Sequence, residues 1–385
     1  MTTHLKTYFT HSRSLAIGAI FASVGFLFGN WVTWIPYVKQ KFGLDDAQLG
    51  LLLLSLPFAS ILTNPLSTLI INRFGMRATT IWGLCGMALA YALPVNVPYL
   101  WMTSAGLGLM GIGIAFTNVA MNTCVTSIER QDGIYIISTS HGMFSAGGML
   151  GSALASILMG LKVSPALHIA GVSVFIISVA IIVRPIIMSI HEEKRIDDAG
   201  AKFAWPNRIL LGMIAISICT NVTEGTMADW TAVYMRDVVR SNDFFIGWGF
   251  ACYALFMASG RFIGDSLIPH YGSRKVLVAG GIVAAAGLMT AVLLPHTFTA
   301  ILGFGMVGAG VSCGAPILYG SAARVPGMAK GAGLAAMNTF SLAGFLAGPA
   351  LIGLISNALS LSFAIGLVAV LAVVWSLLSS RAKLY

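Results

Sequence analysis

The chain has 385 residues, of which 57% are hydrophobic and only 9% charged, with a net charge of +9 and a mean hydropathy of +0.87. Soluble domains carry about 25% charged residues, so this composition cannot make a water-soluble surface and requires a polytopic membrane protein. The basic residues collect in alternate loops and not in a stripe interleaved with aromatics, which argues against nucleic acid as a partner.

The first thirteen residues are polar. The apolar stretch behind them lacks the short core and small-residue cleavage site of a signal peptide, so it is expected to be retained as a helix. A spanning helix needs roughly 20 mostly apolar residues. That criterion predicts twelve spans, at 14–38, 47–71, 78–96, 100–127, 134–160, 166–188, 207–236, 244–270, 275–295, 297–321, 330–357 and 360–379. The expected fold is an all-α integral membrane protein with two pseudo-symmetric six-helix bundles, 1–188 and 207–385. They are joined by a cytoplasmic linker at 189–206, read from the mixed charges of "SIHEEKRIDDAGAKFAWPNR". With the N-terminus inside, inner segments hold sixteen Lys and Arg and outer segments five, which predicts that both termini are cytoplasmic. Cys85, Cys124, Cys219, Cys252 and Cys313 all fall in apolar segments without a CxxC pair, and read as packing residues.

The halves overlay in one register. "NRFGMR" (72–77) matches "PHYGSR" (269–274) at an offset of 197, which also pairs Gly50 with Gly247, Gly111 with Gly308, Gly113 with Gly310, His141 with Asn338, Gly147 with Gly344 and Gly151 with Gly348. In the first span of each half, "NWVTW" (30–34) aligns with "DWTAV" (229–233) at 199. Two such halves with a basic middle loop resemble the major facilitator superfamily. The family pattern between the second and third spans is Gly, three residues, Asp-Arg, an aromatic, Gly, one residue, then Arg or Lys. In "TLIINRFGMR", Arg73, Phe74, Gly75 and Arg77 fit, while Thr68 and Asn72 replace the Gly and Asp. In "GRFIGDSLIPHYGSRK", Gly272, Arg274 and Lys275 fit and Pro269 takes the Asp position. "EGTMADWTAVYM" with "GRFIGD" downstream is similar to the bacterial YbjJ-like branch, loosely related to the fucose permeases.

The resemblance implies a secondary transporter in the bacterial inner membrane, working by alternating access on a small-molecule substrate. Spans one, four, seven and ten would line its cavity, with five, eight and eleven contributing. Glu224, Asp229 and Asp265 are the acids inside spans, where an ionisable group is costly and by default functional. Glu224 lies near mid-span and shares a face with Asn221. It is expected to carry the coupling proton, with Asp229 nearer the outer end. Asn30, Trp34, Asn118, Asn122, His141, Asn221, Tyr253, Tyr319 and Asn338 are expected to bind substrate. The bland alternative is that the Asn and His side chains hold helices together. Trp31, Trp34 and Trp230 could likewise form an aromatic belt. Arg261 and Asp265, spaced i,i+4, can pair. With Arg73, Arg77 and Arg274 they resemble the family's inner gate.

No Lys or Arg lies deep in a cavity-lining span, which disfavours an anionic substrate. A neutral polar or cationic solute is expected, since aromatics beside hydrogen-bonding groups suit sugars and aromatics beside acids suit cations. Drug antiporters of the superfamily carry an Arg in span four and Gly-Pro in span five, and "GLGLMGIGIAFTNVAMN" and "SHGMFSAGGMLGS" have neither. "GLGLMG" (106–111) lies in an apolar span without the context of a nucleotide loop. The sequence shows neither a metal-ligand cluster nor a nucleophile–base pair, so no enzyme, cofactor or metal is expected. The chain should act as a monomer driven by a proton gradient. A multidrug-type efflux antiporter, or a transporter-like sensor without flux, is the alternative.

Overall fold

The computed structural model describes residues 2–192, 205–326, 328 and 332–384. Twelve stretches among them are helical, long and apolar enough to cross a membrane. In chain order, span 1 is Ser12–Phe42, span 2 Asp46–Phe74, span 3 Met76–Asn96, span 4 Leu100–Asp132, span 5 Ile137–Gly160 and span 6 Pro165–Ile187. Span 7 is Arg208–Val238, span 8 Asp243–Gly264, span 9 Ser273–Leu293, span 10 Thr297–Ala322, span 11 Ala332–Ala358 and span 12 Leu361–Arg381. Each coincides with one of the stretches expected from hydropathy. The fold is all-α because lipid offers backbone groups no partner, so each span must bond within itself. Most of the expected linker, 193–204, lies outside the described residues.

Local chemistry sets the helix ends. Gly43 (φ +63°) and Gly133 (φ +66°) close spans 1 and 4 in the left-handed conformation that glycine tolerates best. Gly75 (φ +85°) and Gly272 (φ +82°), the glycines of the two repeated basic motifs, let span 3 begin directly after span 2 and span 9 directly after Trp248–Tyr271, the helix that carries span 8. The Asn207, Ser164 and Ser360 side chains accept from the backbone N–H groups of Leu210, Leu167 and Phe363, capping spans 7, 6 and 12. Ahead of span 1, the helix Thr2–Thr10 is pinned by Tyr8. Tyr8 is 1% exposed and shares a 3.2 Å hydrogen bond with Ser140. Burial pushes its phenol pKa up, partly offset by that hydrogen bond.

Contacts gather the chain into two compact units, Met1–Gly43 with Leu52–Asp198, and Leu44–Leu51 with Ala199–Tyr385. In the first unit, spans 1 and 5 cross through glycine. A Cβ on Gly25, Gly29, Gly147 or Gly151 would fall on the carbonyl oxygen of Phe144, Gly148, Ala22 or Phe26 respectively. In lipid there is little hydrophobic drive between helices, so close backbone approach supplies the association. Spans 2 and 4 meet at Gly111 and the Leu56 carbonyl, and spans 8 and 10 meet at Gly308 and the Tyr253 carbonyl. These contacts are 197 residues apart on both partners, which carries the sequence repeat into the packing.

The register of the first span in each unit differs from the sequence alignment. Gly147 faces the Ala22 carbonyl and Gly344 faces that of Ile218. Gly25 faces the Phe144 carbonyl, and Asn221 donates to that of Ser341. Both pairs set the offset between spans 1 and 7 at 196, which also superposes Trp34 on Trp230. The alignment at 199 followed the shared Trp and neighbouring polar residue. It sits three residues, close to one helical turn, from the register that the packing selects.

Candidate functional site

In the second unit, polar groups converge on the middle of span 7. Glu224 is half-buried there and interacts electrostatically with Arg261 and Tyr253 of span 8 and with Tyr319 of span 10. Tyr253 is 2% exposed, and its phenol oxygen has no hydrogen-bond partner among the described residues. Tyr319 lies beside Ser341 of span 11. Ser341 donates to Ser217 at 2.7 Å, and its carbonyl accepts from Asn221 at 2.9 Å. Ser217, Asn221 and Glu224 follow one another along span 7 at spacings of four and three, so one face of the helix carries all three.

The repeat explains how this face became polar. At offsets of 196 and 197, Glu224 and Ser341 take the places of Phe28 and Phe144, whose rings lie 6.4 Å apart in the first unit. Asn221 takes the place of Gly25. Gly348, equivalent to the tightly packed Gly151, has nothing within 4 Å of where its Cβ would be. The seam closed by glycine and phenylalanine in one unit is therefore opened and made polar in the other. A carboxyl, a guanidinium and two phenols grouped there can hold a proton or an ion pair. They also offer both donors and acceptors to a hydroxylated solute.

Asp229 is half-buried further along span 7. It adjoins Trp230, which is fully buried and has no hydrogen-bond partner for its indole N–H among the described residues. Asn338 is exposed on span 11. In the first unit, Asn122 donates to the carbonyl and side-chain oxygens of Asn118 at 2.8 and 2.9 Å, forming an amide patch on span 4 with Asn118 exposed. His141 is half-buried and packs edge-on against Phe21, with ring centroids 5.2 Å apart. Asn30 and Trp34 are turned into the unit. Asn30 is fully buried, donates to the Phe26 carbonyl at 2.8 Å and lies against Gly151. Trp34, 2% exposed, donates to Nδ1 of His168 at 3.2 Å and meets Tyr37 edge-on. The Asn30 hydrogen bond stays within span 1, and that of Trp34 joins span 1 to span 6.

Among the described side chains expected at the gate, Arg73, Arg77 and Arg274 have separate partners. Arg73 is exposed and lies over the Phe74 ring at 5.5 Å. Arg77 pairs with Glu192 and donates to the carbonyls of Met188 and Ile190 at 2.6 and 3.2 Å. The other Glu192 oxygen accepts from the Met76 N–H at 2.5 Å, giving span 3 an acidic N-terminal cap. Arg274 donates to the Ala382 carbonyl at 3.0 Å. Arg261 interacts with Glu224, and the Asp265 side chain lies outside those described. Among the described residues, no group of three His, Cys, Asp or Glu is arranged to hold a metal.

Sequence reasoning missed Glu192, Ser217, Ser341 and His168. Glu192 is one charge among many in "HEEKRIDD" and shows its role only through the turn that brings it to Gly75. The Glu192→Ala variant is expected to lose about 1–2 kcal/mol, mostly through the lost cap, because the pair with Arg77 is roughly one-third exposed. A lower melting temperature and faster proteolysis after Ile190 are the readouts. Wild-type values for both would mean that the cap contributes nothing.

Comparison with known proteins identifies the family. The Major Facilitator Superfamily profile matches residues 15–241 and 214–382. The chain belongs to the Major Facilitator Superfamily. An uncharacterised transporter of this superfamily from Yersinia pestis is 32% identical over 362 residues, covering 94% of this chain and 93% of that protein. The membrane protein MosC of Rhizobium meliloti is 27% identical over 342 residues, 89% of this chain and 83% of that one. Among solved structures, the superfamily transporter FucP in its outward conformation aligns with a TM-score of 0.63 at 17% identity, over 97% of this chain and 100% of that one. At that identity the likeness shows the fold. This superfamily member is a multi-pass membrane transporter, a class whose fold supplies passage and not catalysis.

Proposed function

We propose that this superfamily member is a secondary active transporter of the bacterial inner membrane. It moves a small neutral polar or cationic solute by alternating access, with proton coupling through Glu224. The observation that carries the reading is the grouping of Glu224 with Arg261, Tyr253 and Tyr319 inside spanning helices, where charge is kept only for a use. Arg261 offsets the Glu224 charge when the carboxyl is ionised, so the site favours a neutral hydroxylated solute over a strong cation. The similarity of "EGTMADWTAVYM" and "GRFIGD" to the YbjJ-like branch supports the same reading. So does the fold shared with FucP, described as a fucose:proton symporter of E. coli. Asp229 and the Asn118–Asn122 patch are assigned to the substrate, and Arg77 and Arg261 to the conformational change. The deciding experiment is flux in proteoliposomes after a thermal-shift screen of sugars, amines and nucleosides. Binding without flux would make the chain a sensor, and broad export of lipophilic drugs would make it an efflux antiporter.

Both termini are assigned to the cytoplasm on the sixteen-to-five bias of basic residues. Reporter fusions at Tyr385 and near Asp45 are expected to signal from the cytoplasm and the periplasm respectively. A periplasmic signal at Tyr385 would overturn the orientation.

A further inference from the structure

Each unit carries an elongated groove on its second, third and fourth spans, of about 740 Å³ in the first unit and about 610 Å³ in the second. The two correspond through the repeat. Phe74, Ala78 and Trp82 line the first groove, and Tyr271, Lys275 and Ala279, each 197 residues on, line the second. Their differences point to a ligand for the second groove only. In the first, position 78 is apolar, the adjacent Arg77 is committed to Glu192, and Trp82 occupies the wall. In the second, Lys275 stands exposed in the first turn of span 9 and makes no hydrogen bond or ion pair among the described residues, while Arg274 is committed to the Ala382 carbonyl.

From Lys275 one wall runs over Ala279 and Val283, four residues apart on one helix face. The opposite wall runs from Tyr271 over Ile263 to Phe256 on the span 8 helix, Trp248–Tyr271. Fifteen residues of helix make this about 22 Å, longer than half of the roughly 30 Å hydrocarbon core. Ser259 and Ser312 also line it, but their hydroxyls are turned onto the Leu255 and Ala309 carbonyls at 2.9 and 2.7 Å, so they offer a ligand no free donor. An apolar groove of leaflet length, set in spanning helices and ending at a cation with no partner among the described residues, complements one abundant molecule of its surroundings. We propose that this groove binds an acyl chain of an anionic phospholipid, with the phosphodiester held by Lys275 and the Tyr271 hydroxyl.

The test uses the delipidated full chain in detergent, with bound lipids counted by native mass spectrometry and melting followed in parallel. Phosphatidylglycerol, phosphatidylcholine of the same chains, and glycerophosphoglycerol without chains are the probes. Phosphatidylglycerol should be preferred over phosphatidylcholine about fivefold, the ratio that one lysine near an anionic headgroup supports, and the chainless headgroup should not bind. Lys275→Gln should abolish the preference. Ala279→Trp, which copies Trp82 of the first groove, should weaken phosphatidylglycerol binding about fivefold or more without lowering the melting temperature of the lipid-free protein. Equal binding of the two lipids, a preference that survives Lys275→Gln, tight binding of the chainless headgroup, or unchanged binding by Ala279→Trp would each overturn the assignment.

Discussion

Glu224→Gln in proteoliposomes is expected to keep substrate binding and exchange while losing accumulation driven by a pH gradient. One proton per solute at a pH difference of about one unit supports about tenfold accumulation, equivalent to about 1.4 kcal/mol. The variant should bring this ratio to about one. The amide mimics the protonated carboxyl in shape and charge, so the substrate-facing hydrogen bonds persist while the proton site is gone. In the proposed cycle the carboxyl carries its proton in one conformation and releases it in the other, where the site opens to water. That difference ties proton occupancy to conformation with no other group involved. Asp229→Asn should alter affinity and leave coupling intact. Accumulation at the wild-type ratio by Glu224→Gln would return Glu224 to a role in helix packing and remove the coupling assignment.

Gly29→Leu should produce the largest loss of stability of any single substitution discussed. Its Cβ would meet the backbone carbonyl of Gly148, which has no rotamer by which to retreat. Spans 1 and 5 would have to separate along the crossing that Gly25, Gly147 and Gly151 also close. Overpacking of this kind costs about 1–3 kcal/mol or more, and loss of the monodisperse peak of folded protein in detergent is the expected readout. Gly171→Ala is the control. Gly171 is exposed on span 6 with nothing within 4 Å of its Cβ, so a change within about 0.5 kcal/mol is expected. Equal melting temperatures for the two variants would show that the crossing tolerates separation.

The candidate site was legible in part. Glu224, Tyr253 and Tyr319 stood out because a polar or ionisable side chain in an apolar span is rare, and the structure brings these three together. Asn30 and Trp34 looked the same in one dimension. Their partners, the Phe26 carbonyl and His168, show that they bond within the first unit. A polar residue in a span carries the same sequence signal whether it faces a solute or a neighbouring helix. The i,i+4 spacing points Arg261 toward Asp265 and the inner gate, and the structure also brings it to Glu224 of the neighbouring span 7.

What the sequence determined by itself is the class, the spans and the repeat. Hydrocarbon imposes a length of about 20 apolar residues on every crossing, so twelve stretches could be counted without any knowledge of contacts. Glycines at a fixed offset reported the duplication. The register between the halves was decided by tertiary structure. Local similarity favoured 199 for spans 1 and 7, and the backbone contacts of Gly25, Gly147, Asn221 and Gly344 selected 196. That register puts Glu224 where the first unit has Phe28, and makes the polar seam of the second unit visible as a departure from a glycine-packed one. The physical reason is that hydropathy is a property of each segment alone. Which face of a helix meets which neighbour is fixed only when two backbones approach closely enough for a single Cβ to forbid every other register.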